Sequence, residues 1–184
     1  MTLDYDSIQC YNRTMMKTTK TIKKRVKEKK TVDIITPVTS ITPDIYRFVE
    51  AQELDHYKVL GELKRGKKVS CWMWYTFPQI KGLGFSDTAK YYEIQSLDEL
   101  EAFVKNKYLS KNLTECLRII LKLPTNNAIS VFGAIDALKL QSSMTMFLHT
   151  KKFQRYAHAV LDKYFHGRLD MKSEKILSKM WGGD

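Results

Sequence analysis

The stretch SLDELEAFVKNKYLSKNLTECLRIILKLP, residues 96–124, decides the fold class. Ser96 and Glu99 stand in the spacing of a capping box, in which each side chain satisfies the other's free backbone donor at a helix start. Leu100, Phe103, Val104 and Lys107 then follow at helical spacing. A second helix is predicted from Leu109 to Leu123, with Leu113, Leu117, Ile120 and Leu121 turned inward. Pro124 stops it, because proline lacks the amide and clashes with the preceding turn.

The same grammar extends in both directions. Upstream, Thr42-Pro43-Asp44 gives a capping hydroxyl, a proline at the first helical position and an acid in the first turn. Ile45, Phe48, Val49, Gln52, Leu60 and Leu63 carry that helix to Gly66, which closes it. Downstream, Asn126 or Asn127 caps a short helix holding Ile129, Val131 and Phe132, and Gly133 breaks it. Further helices are predicted from Ala134 to about Lys151, from Phe153 to Phe165 with His166-Gly167 as the stop, and from Lys172-Ser173-Glu174 to Met180. No segment alternates cleanly over more than four or five residues, although pieces near Val69 and Tyr91–Ile94 read as extended. The expectation is an all-α, compact domain of six to eight helices, with a short extended aromatic segment and a glycine loop.

Composition places limits on the function. The chain has 184 residues and a net charge of +11. Residues 1–40 hold nine Lys/Arg against four Asp/Glu, concentrated in Lys17–Lys30, where eight basic residues meet only Glu28. We read 1–40 as a basic, disordered extension and 41–184 as the helical domain. The run at 17–30 offers weak nucleic-acid contact through phosphates. No apolar run approaches the roughly 20 residues of a membrane span, and no secretory pattern opens the chain, so an intracellular place is expected, cytoplasmic or, in a eukaryotic or viral setting, nuclear. Cys10, Cys71 and Cys116 are few and far apart and read as free thiols, and no Cys/His spacing predicts a metal site.

Two segments could carry chemistry. In Cys71-Trp72-Met73-Trp74-Tyr75-Thr76-Phe77-Pro78-Gln79, Trp72 and Trp74 share a face only if the backbone is extended, where they form either a core wall or a stacking platform for a planar ligand. Gln79 would present an amide beside the loop Lys81-Gly82-Leu83-Gly84-Phe85-Ser86, whose Gly82, Gly84 and Ser86 could meet a phosphate next to Lys67, Lys68 and Lys81. On a helical wheel of the segment from Phe132 to Phe147, Leu140, Met144, Phe147 and Leu148 form the apolar face, and Asp136, Lys139 and Ser143 lie along one edge. That edge is either a half-buried i,i+3 ion pair or a polar cluster lining a cleft.

Three ordered motifs resemble one family. The runs Trp72-Met73-Trp74-x-x-Phe77-Pro78-Gln79, Gly82-Leu83-Gly84-x-Ser86 and Phe132-Gly133-x-x-Asp136-x-x-Lys139-Leu140-x-Ser142-Ser143-Met144-Thr145-x-Phe147 look like the domain-of-unknown-function 1810 (DUF1810) family, over about residues 43–180. The resemblance implies a compact, mainly helical domain and no particular activity. It also implies two departures: His is usual where this chain has Cys71, and a Leu-Gly pair is usual at Leu109-Ser110. If the family's His is catalytic, Cys71 either abolishes activity or substitutes a thiol nucleophile.

Two functions follow from these residues, and neither fixes a cofactor or decides whether the chain is an enzyme. The first is binding or processing of a nucleotide-derived ligand of the NAD or ADP-ribose type. There Trp72 and Trp74 stack the base, Gln79, Gly82, Gly84 and Ser86 hold the phosphate side, and Asp136, Lys139, Ser143 and Cys71 are the candidate catalytic groups. The second is a non-enzymatic interaction module or scaffold with a nucleic-acid-binding tail.

Overall fold

The computed structural model describes residues 44–182, and those residues contain nine helices and no strand. They are α1 (Tyr46–Lys64), α2 (Met73–Thr76), α3 (Asp87–Tyr92), α4 (Leu97–Lys105), α5 (Lys107–Lys122), α6 (Ala128–Phe132), α7 (Ala134–Leu148), α8 (Gln154–Phe165) and α9 (Met171–Trp181). The domain is all-α, as expected. Two short helices, α2 and α3, are additional to those predicted. The basic run at 17–30, Cys10 and the rest of the N-terminal extension lie outside the described residues, as do Thr42 and Pro43.

The helices form where the local signals stand. Ser96 Oγ accepts from the Glu99 amide, Asn106 from Leu109, Asn127 from Ser130, and Asp170 from Lys172 and Ser173. The capping box is only half made. Glu99 accepts from the Gln95 amide at 2.6 Å instead of from Ser96, and its other oxygen takes Arg47 at 2.5 Å. Gly133, at φ +80°, turns α6 into α7 with no intervening loop. The helix from Ala134 stops at Leu148, short of Lys151, where the turn to Phe153 begins.

Helix α5 packs on α1 and α8, and α7 packs on α8, α9 and α6. The buried rings run through the interior in sequence: Phe48 to Phe103 at 5.2 Å, Phe103 to Phe147 at 5.8 Å and Phe147 to Phe153 at 5.5 Å between centroids. This relay ties α1, α4 and α7 to the start of α8. Gln52 bridges the carbonyl of Tyr75 and the side chain of Asn112, so α1, α2 and α5 share one buried polar chain.

The aromatic segment departs from expectation. It is not extended. Trp72 precedes one helical turn, and Thr76 and Phe77 donate to the carbonyls of Trp72 and Met73 at 3.2 and 3.0 Å. Among the described residues no neighbouring strand is present to pair these amides, and a buried amide must be paired, so a local turn supplies the acceptors. Successive helical positions then point the two tryptophans apart: Trp72 is fully buried and Trp74 half-buried. Tyr91 and Tyr92 are likewise helical, in α3, and of that extended piece only Ile94 remains, in a single parallel bridge with Ile80.

Gly84 sits where α3 approaches the loop. A Cβ there would lie 2.4 Å from the Ala89 Cβ. Gly84→Ala should therefore destabilise the domain by about 1–3 kcal/mol in urea unfolding. Combining it with Ala89→Gly removes the clash and leaves a residual loss of about 1 kcal/mol from glycine in a helix. Full stability in Gly84→Ala would disprove the close approach.

Candidate functional site

The site is built from the C-terminal end of α1. There Gly66, at φ +64°, reverses the chain, with Gly66 and Lys67 donating to the carbonyls of Leu63 and Glu62. This fold-back wraps residues 69–72 around the buried Glu62 carboxylate. It accepts from the Val69 amide at 2.7 Å, the Ser70 amide at 2.9 Å, Trp72 Nε1 at 2.7 Å and the Ser70 hydroxyl. Burial pushes the Glu62 pKa up, but the hydrogen bonds from Ser70, Val69 and Trp72 outweigh it and hold the group below the ordinary carboxylate value. The Lys68 amide donates to the Val131 carbonyl at 2.7 Å, which pins this loop to α6.

Lys68 is thereby aimed at α7. Its Nζ lies 2.6 Å from Asp136 Oδ2, while Lys139 Nζ lies 2.8 Å from Asp136 Oδ1. The same ammoniums sit over the two indoles, Lys68 at 5.2 Å from the Trp72 ring and Lys139 at 4.5 Å from the Trp74 ring. The side chains of Lys68, Asp136 and Lys139 are 10%, 16% and 21% exposed, so water screens them weakly. Burial raises the Asp136 pKa, and the charges of Lys68 and Lys139 more than reverse that, so the carboxylate is ionised at neutral pH. Asp136 also occupies the first turn of α7, where the helix dipole favours a negative charge.

Of the predicted residues, the structure brings together Trp72, Trp74, Asp136 and Lys139, and sets beside them Lys68, expected next to the glycine loop. The ion pair within α7 was legible as an i,i+3 spacing. The Lys68 partner was not, because it comes from a loop far away in sequence whose course depends on Glu62.

Other predicted residues serve the fold. Trp72 has no exposed surface, and its indole nitrogen is spent on Glu62, so it cannot stack a ligand. Ser143 is fully buried, and its hydroxyl has no hydrogen-bond partner, so it does not border a cleft. Cys71 is half-buried, in the stretch that leads into α2. Cys116 is a free, buried cysteine, and burial raises its pKa. The Gly82 amide donates to the Glu93 carboxylate at 3.0 Å, which puts a negative charge where a phosphate was expected. Gly84 permits close packing, and the Ser86 hydroxyl accepts from the Ala89 amide to cap α3. The Gln79 carbonyl accepts from the Ile94 amide.

Among the described residues, no group of three His, Cys, Asp or Glu side chains could hold a metal ion. Nor is any of their helices long and apolar enough to cross a membrane.

The family model described as "Protein of unknown function (DUF1810)" matches residues 42–177. Among solved structures, the chain is similar to a conserved hypothetical protein from Mycobacterium tuberculosis. The two are 36% identical, with a TM-score of 0.71, and the match covers 73% of this chain and 96% of that one. No curated protein matches the chain.

Removing the shared carboxylate leaves two neighbouring ammoniums unneutralised. Asp136→Asn should cost about 1–3 kcal/mol at pH 7 in urea unfolding, less than a fully enclosed pair because the group keeps some exposure. The lowered native pKa means that Asp136 contributes above its unfolded pKa and loses that contribution as pH falls through the native value. The stability gap between wild type and variant should therefore begin to narrow as pH falls through the ordinary Asp value of about 4 and close only at lower pH. A gap unchanged by acid would show that the carboxylate charge is not what matters.

Proposed function

The chain belongs to the DUF1810 family, and we propose that it binds an anionic, nucleotide-derived small molecule of the ADP-ribose or NAD type at the corner formed by Trp74, Lys68, Asp136 and Lys139. One observation carries this reading: two ammoniums share a single weakly screened carboxylate beside a half-buried indole. The cluster keeps one net positive charge, which favours a phosphate in a setting of reduced dielectric. An ammonium has three donors, and one hydrogen bond to Asp136 leaves donors for a ligand. Trp74 offers an apolar ring beside them for a base or ribose face.

The ionised state of Asp136 also bears on its role. A carboxylate held below its ordinary pKa is a weak proton acceptor at neutral pH and a good hydrogen-bond acceptor. Asp136 therefore fits a group that takes a hydrogen bond from a ribose hydroxyl better than one that removes a proton.

Thermal melting of the full chain with NAD, ADP-ribose, AMP and inorganic phosphate tests the proposal. A ligand at about 100 times its Kd should stabilise by roughly 2.7 kcal/mol, or about 5–11 °C. The shift should disappear in Trp74→Ala and fall in Lys68→Ala, each compared with its own unliganded melt. A shift that survives Trp74→Ala would move the site elsewhere, and no shift with any of the four would reject this ligand class.

A further inference from the structure

A second surface attracts anions independently of the Trp74 corner. A concavity of about 560 Å³ runs along α5 and is closed at one side by the turn before α8. Lys107, Lys111, Arg118 and Lys152 line it, against one acid, Glu115. All four cations are exposed, and none forms an ion pair among the described residues. Glu115 is itself directed at His56, at 3.7 Å. Solvated lysines scattered over a helix are ordinary. Here, however, three stand on one face of α5 at i, i+4 and i+11, a fourth arrives from another element, and a concave wall holds them together. At a rise of 1.5 Å per residue, the three on α5 span roughly 16 Å.

Two tyrosines lie next to these charges, outside the lining of the groove. Tyr108 is 37% exposed beside Lys107, and Tyr156 accepts from Arg118 Nε at 3.0 Å, which fixes that guanidinium over the groove. The groove's own hydroxyls are spent on backbone carbonyls: Ser110 donates to Val104 at the end of α4 and Thr114 to Ser110. They give no base-reading code. A row of exposed cations, one of them held by a tyrosine, with no sequence-reading groups is the chemistry that tracks a single-stranded phosphate backbone. A membrane surface would be met by exposed apolar side chains beside the cations, and none lines this groove.

We propose that the α5 groove binds single-stranded nucleic acid through its phosphates, without base preference. Residues 17–30 can add contacts of their own, so the test compares full-length chains that differ only in the groove.

Fluorescence anisotropy with a labelled single strand of about 16 nucleotides, titrated over a range of salt, gives the measurement. Four phosphate contacts contribute a slope of about −2.8 in log K against log salt. The variant K107A/K111A/R118A/K152A should lose that much slope and at least about tenfold in affinity at low salt, while its thermal melt stays close to wild type because all four side chains are exposed. Glu115→Gln should bind severalfold tighter, a gain that misfolding cannot produce. Equal affinity and slope in wild type and the four-site variant would overturn the proposal, as would absence of binding by wild type. Groove-dependent binding to phosphatidylserine vesicles with none to the single strand would also overturn it, in favour of a lipid surface.

Discussion

The carboxylate of Glu62 is the constraint on which this structure depends. It is a buried charge placed where α1 ends, and burying it without partners would cost several kcal/mol. Two backbone amides, one hydroxyl and one indole N–H surround it instead. Hydrogen bonds to a charged acceptor are each worth about 1.5–3 kcal/mol. Those bonds decide the path of residues 69–72, a stretch with no regular secondary structure to guide it. From that path follow the position of Lys68 against α7, the burial of Trp72, and the start of the α2 turn that leaves Trp74 half-exposed. One side chain thus converts a helix end into the scaffold of the candidate site.

Two charge clusters in the domain show why one is structural and the other a candidate site. Arg47 is buried, and its two terminal nitrogens donate to Glu99 at 2.5 Å, to the Glu93 carbonyl at 2.8 Å and to the Asp44 carbonyl. It joins α1 to the start of α4 and has one carboxylate for its one guanidinium. The Asp136 cluster is different in stoichiometry and in exposure. Two ammoniums meet one carboxylate, and all three side chains retain some contact with solvent. A charge-balanced, enclosed pair holds helices together. An unbalanced, partly open one retains a field that a ligand can feel.

Most of the fold could be read from the sequence because its signals are local. Ser96 and Asn127 cap the helices they were placed to cap, and Gly66, Pro124 and Gly133 stand where helices end, whereas Asn106 caps a helix that starts two residues before the predicted Leu109. The candidate site was legible only where its geometry is also local. Asp136 and Lys139 meet because three residues along a helix is one turn. Trp72 and Trp74 were misjudged because i,i+2 sharing of a face presupposes an extended chain. Whether a nine-residue stretch is extended depends on what neighbours can pair its amides. The Gly82 amide was assigned to a phosphate although Glu93, eleven residues on, was the acceptor that the fold delivers. Ser143 was placed at the edge of an apolar face, yet the packing of α7 against α6, α8 and α9 leaves that edge no opening.

The conspicuous motif and the functional residues are therefore not the same thing. In the run from Trp72 to Ile80, Trp72, Met73, Tyr75, Thr76, Phe77, Pro78 and Ile80 are all buried. They wall the core where the backbone has no long helix. Dense aromatics, a proline and paired glycines are what such a wall needs: large apolar surface, a fixed bend and room for close approach. That requirement accounts for nearly every residue that makes the stretch distinctive, and so it cannot also be counted as a sign of a ligand. What it leaves unaccounted for is small. Trp74 is the one large ring of the run that is not buried, and Lys68 and Lys139 are the cations set over the two indoles. If this domain has chemistry in its interior-facing polar groups, it is with these residues and Asp136 that the chemistry lies.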